Sequence, residues 1–108
     1  MLLLEAEVYF DLHVDNSQAL TEDLDTKYII RPSINFGNDI LLSGNIIGNY
    51  NVTKFIRGQY HKVIIEMPAV DSDVYNEISG LIKIRNSYLI QIASRVIGKA
   101  KILDLIFE

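Results

Sequence analysis

No stretch of this sequence sustains a helical repeat for the length of an ordinary helix. β-Branched and aromatic residues instead gather in short runs, each broken by Gly, Asn, Asp or Pro, and that pattern is the signature of strands joined by turns. It predicts strands from about Leu3 to Val14, Lys27 to Phe36, Ile40 to Ile47, Tyr60 to Met67, Leu81 to Arg85, Tyr88 to Ser94 and Ile97 to Phe107. Six or seven short strands need a second layer or closure to bury one face, so the expectation is an all-β sandwich or closed antiparallel barrel. Closure has the further merit of removing exposed strand edges.

Within this frame the punctuation is specific. From Tyr28 to Phe36 the alternation places Tyr28, Ile30, Ile34 and Phe36 on one side and Ile29, Arg31 and Asn35 on the other. Pro32 cannot donate to a ladder, so an edge, a bulge or an unpaired position is required there. Gly37-Asn38 and Ser43-Gly44 read as turns or bulges, Gly58 opens the run to Met67, and Pro68 stops it. Val74, Tyr75, Ile78 and Leu81 are spaced to share one face of a short helix, which leaves the segment Asp71 to Leu81 open between helix and loop.

The chain has 108 residues, 49% hydrophobic and 22% charged, which suits one packed domain and not a disordered chain. The absence of cysteine excludes disulfides, thiolate metal sites and a cysteine nucleophile. Leu2 to Leu4 is followed at once by Glu5 and Glu7, unlike a signal peptide, and no apolar run approaches the ~18 residues of a membrane span. A soluble cytoplasmic protein with no membrane partner is expected.

Charge is distributed unevenly. The net charge of −4 conceals an N-terminal segment, residues 1 to 26, with seven acids (Glu5, Glu7, Asp11, Asp15, Glu22, Asp23, Asp25) and no Lys or Arg. From Lys27 onward ten cations face seven acids. Such a segment is either a solvated acidic loop or a surface that repels nucleic acid and attracts a basic protein face.

Residues for catalysis are scarce. His13 and His61 are the only histidines, and His13 with Asp11 falls short of a zinc ligand set. Ser17, Ser33, Ser43, Ser72, Ser79, Ser87 and Ser94 include no Gly-x-Ser-x-Gly, and neither glycine phosphate-loop pattern occurs. Asp71 and Asp73 alternate with small residues in a loop type that is ordinarily solvated, and Asn51-Val52-Thr53 matches a glycosylation acceptor without a secretory context. The expectation is a non-enzymatic protein with no metal, no cofactor and no nucleotide.

Read in order, four stretches resemble the C-terminal β-barrel, the third domain, of bacterial elongation factor Tu. Leu4-Glu5-Ala6-Glu7-Val8-Tyr9 is similar to that domain's first strand, and Tyr28 to Phe36, with Arg31-Pro32, to its aromatic second strand. Gly58-Gln59-Tyr60-His61-Lys62-Val63 through Met67-Pro68 is similar to the next glycine turn, strand and proline. Leu89 to Ala93 with Arg95-Val96-Ile97-Gly98 resembles the closing hairpin. The resemblance implies a closed six- or seven-stranded antiparallel barrel, without the nucleotide-binding domain and middle barrel of the full factor. It also implies a choice between protein and tRNA as partner. The sequence departs from it where a basic tRNA-facing loop is replaced by Thr21-Glu22-Asp23-Leu24-Asp25, where Ala93-Ser94 and Ala100 stand for glycines, and from Asp71 to Asn86, which has no counterpart.

Taken together, these readings point to a macromolecule-binding module, with Glu22, Asp23, Asp25, Arg57, Lys62, Arg95 and Lys99 as candidate partner surface. A protein partner is expected, in the manner of an immunity or antitoxin-like protein. The alternative is a tRNA or ribosome binder using Arg57, Lys62, Arg95, Lys99 and Lys101 on phosphates, which the acidic loop disfavours. A small hydrolase is the third class, and it has no motif behind it.

Overall fold

The computed structural model describes residues 1–28 and 30–108. The chain is all-β around a single core. Strand β1 (Leu2–Phe10) alternates without exception, so Leu2, Leu4, Ala6, Val8 and Phe10 are fully buried while Leu3, Glu5, Glu7 and Tyr9 point outward. It is paired on both sides, with β7 (Tyr60–Met67) from Leu2↔Met67 to Tyr9↔Tyr60, and with β9 (Arg95–Phe107) from Leu2↔Phe107 to Phe10↔Gly98. A bulge at Glu5/Ala6 absorbs one extra residue of β9 and bends that long strand.

The remaining elements extend this centre. They are β2 (Leu24–Asp25), β3 (Ser33–Asn35), β4 (Leu41–Ser43), β5 (Asn45–Gly48), β6 (Lys54–Phe55) and β8 (Ser87–Ile92). Seven strands form one curled antiparallel sheet in the order β4-β3-β8-β9-β1-β7-β5, a half-barrel by its ladders, and β2 pairs separately with β6. The end strands β4 and β5 are consecutive in the chain, with only Gly44 between them. Gly44 N–H donates to the Pro32 carbonyl at 3.0 Å and Ile46 N–H to the Ile30 carbonyl at 2.9 Å. A Cβ on Gly44 would come within 2.6 Å of Ile65 Cγ2, so the bend there requires glycine.

Several sequence expectations are corrected by this arrangement. The strand expected from Lys27 begins its ladder only at Ser33, because Pro32 has no N–H to offer. Before it, residues 26 and 27 form a turn, and Tyr28 is 67% exposed instead of facing inward with Ile34 and Phe36. Ile29 lies outside the described residues. The first strand stops at Phe10, and residues 12–19 form turns in which Asn16 donates to Asp11 Oδ2 and the Val96 carbonyl. The expected strand from Leu81 to Arg85 is absent: a 3-10 turn, Ser79–Leu81, leads into irregular chain that buries Ile82.

Between these, the open choice at Asp71 to Leu81 resolves into α1 (Ser72–Ile78), with Asp71 as N-cap accepting from Val74 N–H at 2.9 Å. Ile78 is buried in the core, and Tyr75 stacks on Phe107 at 4.4 Å. Gly37, Asn38 and Asp39 all have positive φ, which makes the predicted Gly37-Asn38 turn; the expected strand from Ile40 to Ile47 divides at Gly44.

The hairpin joining β8 to β9 turns at Ala93-Ser94, with Ala93 in the left-handed region. Beyond it, buried Gly98 presses against β1 so closely that a Cβ would overlap the Tyr9 carbonyl oxygen and contact Phe10 Cα at 3.0 Å. Backbone cannot swing aside as a side chain can. Gly98→Ala is therefore expected to cost about 3 kcal/mol or more in chemical denaturation, at the top of the usual range for overpacking, whereas Gly80→Ala, which meets open space, should change stability by less than about 1 kcal/mol.

Candidate binding surface

The loop connecting β1 to β2 carries the acidic residues singled out from the sequence, and two arginines hold it in place. Arg57 Nε and the Arg57 backbone N–H both donate to Asp23 Oδ1 at 3.0 Å, while Arg57 Nη1 donates to the Leu20 carbonyl at 2.8 Å. Arg95 Nε donates to the Gln18 carbonyl and Arg95 Nη2 to the Ala19 carbonyl at 2.7 Å. Ala19, between these ties, is fully buried. The guanidinium's fixed fork suits this work, because one side chain satisfies several acceptors at once.

These bonds divide the candidate residues by role. Asp23, Arg57 and Arg95 are structural ties of the loop, and the backbone hydrogen bond from Arg57, reinforced by its side chain, lowers the Asp23 carboxyl below the ordinary aspartate value. Asp25 lies in β2 opposite Lys54 of β6; its Oδ1 accepts from Lys27 N–H at 3.0 Å, and its Oδ2 lies 3.7 Å from Lys27 Nζ. Glu22 is exposed and makes no ion pair with the described residues.

The other two candidates belong to a different surface, the outward face of β1, β7 and β9. There Lys62 pairs with Glu5 at 3.0 Å. Lys99 sits 5.4 Å above the Tyr9 ring and 5.9 Å from that of Tyr60, whose own centroids are 5.0 Å apart. Lys62 and Lys99 thus lie on the outer face of the sheet, where strand alternation turns them, and not in the loop that carries Glu22 and Asp23.

Two clefts adjoin the acidic loop and share Tyr28 as a wall. One, about 490 Å³, has Glu22, Asp23 and Asp25 around an apolar floor of Leu20, Leu24, Ile30, Ile92 and Ile97, with Arg31 and Pro32 at its margin. The second, about 420 Å³, lies between Thr26–Tyr28 and the loop after β5, and is lined by Tyr50, Val52, Ile47, Asn45 and Glu66 among others. Tyr50 is 95% exposed. Asn45 Oδ1 is buried with no hydrogen-bond partner among the described residues. Sequence reasoning missed Tyr28, Tyr50, Asn45 and Glu66 as site residues; the asparagine-rich stretch from Asn45 to Asn51 was the available signal, since a turn-rich segment carrying a tyrosine belongs at a surface.

The histidines do structural or solvent-facing work. His61 Nε2 accepts from Ile56 N–H at 2.9 Å and the ring packs edge-on to Phe55, while His13 is exposed in the first loop. Among the described residues no group of three or more His, Cys, Asp or Glu side chains converges as a metal site, and no helix is long and apolar enough to cross a membrane. No protein-family model matches the sequence, and a search of curated proteins finds no match.

The Asp23 tie has a defined pH dependence. A carboxyl lowered by folding adds stability that is complete above its unfolded value and disappears as pH falls through the folded one, so the contribution should fade below about pH 4. Denaturation midpoints of Asp23→Asn and the wild type should differ at pH 7 and converge in acid. Arg95→Ala should speed hydrogen exchange at the Ala19 amide, which donates to the Asn16 carbonyl, while leaving the core amides of β1 unchanged.

Proposed function

We propose that this chain is a non-enzymatic protein-binding module that takes a basic partner surface at the acidic cleft. The observation that carries the reading is the placement of Glu22 and Asp25 at the rim of a cleft floored by Leu20, Leu24, Ile30, Ile92 and Ile97. An apolar floor supplies affinity through burial, and a predominantly acidic rim, in which Arg31 is the one cation, steers a basic partner and disfavours phosphate. An immunity-like blocking role is the form of binding we favour.

The scaffold we propose is a closed barrel of the elongation factor Tu third-domain kind. The two backbone hydrogen bonds from Gly44 and Ile46 to the chain before β3 support closure, since Ile46 is then bridged to Ile30 on one side and laddered to Ile65 on the other. The ordered succession of β1, β7 and the β8–β9 hairpin supports the resemblance. The tRNA alternative is weakened because Arg57 and Arg95, two of its five cations, are committed to loop carbonyls, Lys62 to Glu5 and Lys99 to tyrosine rings.

A charge-reversed variant tests the reading, and Asp23 must be spared because its reversal would break the Arg57 tie. Glu22→Lys with Asp25→Lys should slow association with a partner recovered from lysate by about tenfold or more at low salt, with little change at high salt. An unaltered on-rate, or tight tRNA binding by the wild-type chain at physiological salt, would overturn it.

A further inference from the structure

We propose that the outward face of β1, β7 and β9 is a docking surface for a second copy of this chain, which lies across it with its strands reversed. The contact is separate from the acidic cleft, whose lining includes no residue of this face, so the dimer displays two such clefts.

Alternation decides what the face carries. Strands β7 and β9 both run antiparallel to β1, so they share a direction, and their outward rows change character in the same sense. The row on β7 goes from Tyr60 and Lys62 to Ile64 and Glu66, and that on β9 from Lys99 and Lys101 to Asp104 and Ile106. Running the other way, β1 sets Tyr9 at the lysine end and Leu3 at the carboxylate end. Lys62 neutralises Glu5 near the middle, at 3.0 Å, and Glu7, opposite Lys62 and Lys101 in the ladders, is the one carboxylate at the lysine end. Lys101, Glu66 and Asp104 make no ion pair among the described residues. Charges of opposite sign, unpaired within the chain, thus stand at opposite ends of one face.

The apolar groups are divided in the same way. Leu3, Ile64 and Ile106 line a shallow groove of about 190 Å³ that Asp104 borders. Ile64, Ile106 and the neighbouring Ile47 are exposed, where a solvated antiparallel sheet ordinarily presents polar side chains. At the other end Tyr9 and Tyr60 stand with ring centroids 5.0 Å apart, and Tyr60 projects into solvent. A two-fold axis in the plane of the face, perpendicular to the strands and passing between Glu5 and Glu7, sets each end of one copy on the opposite end of the other. Lys101 then meets Asp104 of the second copy, while Tyr9 and Tyr60 meet its Leu3 and Glu66. Such a patch is complementary to itself, whereas a wholly apolar or one-signed face has no reason to select its own copy. The face runs about 20 Å from Leu3 to Tyr9 and about as far from β5 to β8, the size of a weak homodimer with a micromolar constant.

Sedimentation equilibrium of the full chain, from about 5 to about 500 μM, is expected to show a monomer–dimer equilibrium with a midpoint of tens of micromolar. Lys101→Glu and Asp104→Lys should each weaken it about tenfold or more, because each places two like-charged pairs in the symmetric contact. An equimolar mixture of the two variants should dimerise about as well as the wild type, since each supplies the sign that the other lacks. A purely structural effect of either substitution is not rescued by mixing. Tyr60→Ser, at an exposed side chain, should weaken the dimer several-fold and leave the denaturation midpoint in place, which keeps the test decisive if either reversal does not fold. A chain that stays monomeric to about 500 μM overturns the inference, and the face then belongs to a different molecule. A dimer that both reversals leave intact, or reversed variants that mixing does not rescue, overturns it as well. None of these outcomes bears on the acidic cleft, which the reversal of Glu22 and Asp25 tests separately.

Discussion

The double pairing of β1 is the constraint on which the rest of the structure depends. Its inner row from Leu2 to Phe10 is excluded from water, and its ladders to β7 and β9 supply both walls of the core. A one-residue slip on either side would turn those five apolar residues outward and Glu5, Glu7 and Tyr9 inward, so register is tightly specified. Where β9 crosses the end of β1, only Gly98 lets the two backbones approach, and the bulge at Glu5/Ala6 then curves β9 around the core. Curvature generated there carries through β8 and β3 to β4, which is how the two ends of the sheet come to lie on either side of Gly44.

Upon this frame the long loop after β1 is positioned by arginines and not by its own secondary structure. Arg57 and Arg95 come from segments far along the chain, and both donate to carbonyls of residues 18–20 that have no ladder to join. Their charge is thereby used locally. Asp23 is neutralised in the same cluster, so the electrostatic character of the surface is left to Glu22 and Asp25. The second cleft follows from the bend at Gly44 and the turn before Tyr28, which bring Asn45 and Tyr28 to one site from separate segments of the chain.

Much of this architecture could be read from residue pattern. The strand from Tyr60 to Met67 is found within its expected limits, the Gly37-Asn38 turn occurs, and the helical spacing of Val74, Tyr75 and Ile78 identified α1 as one of two possibilities, whereas the strand expected from Tyr88 to Ser94 ends at Ile92. Each of these is governed by interactions within a few residues: alternation, a cap, a positive φ. Expectations failed where a distant contact overrode local preference. The segment from Leu81 to Arg85 has strand-like composition, yet Arg85 N–H donates to the Ile102 carbonyl and Ile102 N–H to the Asn86 carbonyl, and these bonds to β9 hold it in a turn instead of a ladder.

The acidic bias of the first 26 residues, the absence of cysteine and the all-β pattern were determined by the sequence by itself, because composition and short-range periodicity need no knowledge of what lies across the core. Which charges remain available to a partner was decided only by the tertiary structure. Arg57 and Arg95 read as surface cations until the fold places loop carbonyls within their reach, and Asn45 reads only as part of the strand from Ile40 to Ile47 until β7 sets Glu66 beside it and Tyr28 comes to line the same cleft. Such roles depend on groups tens of residues apart, and one-dimensional order carries no record of those distances.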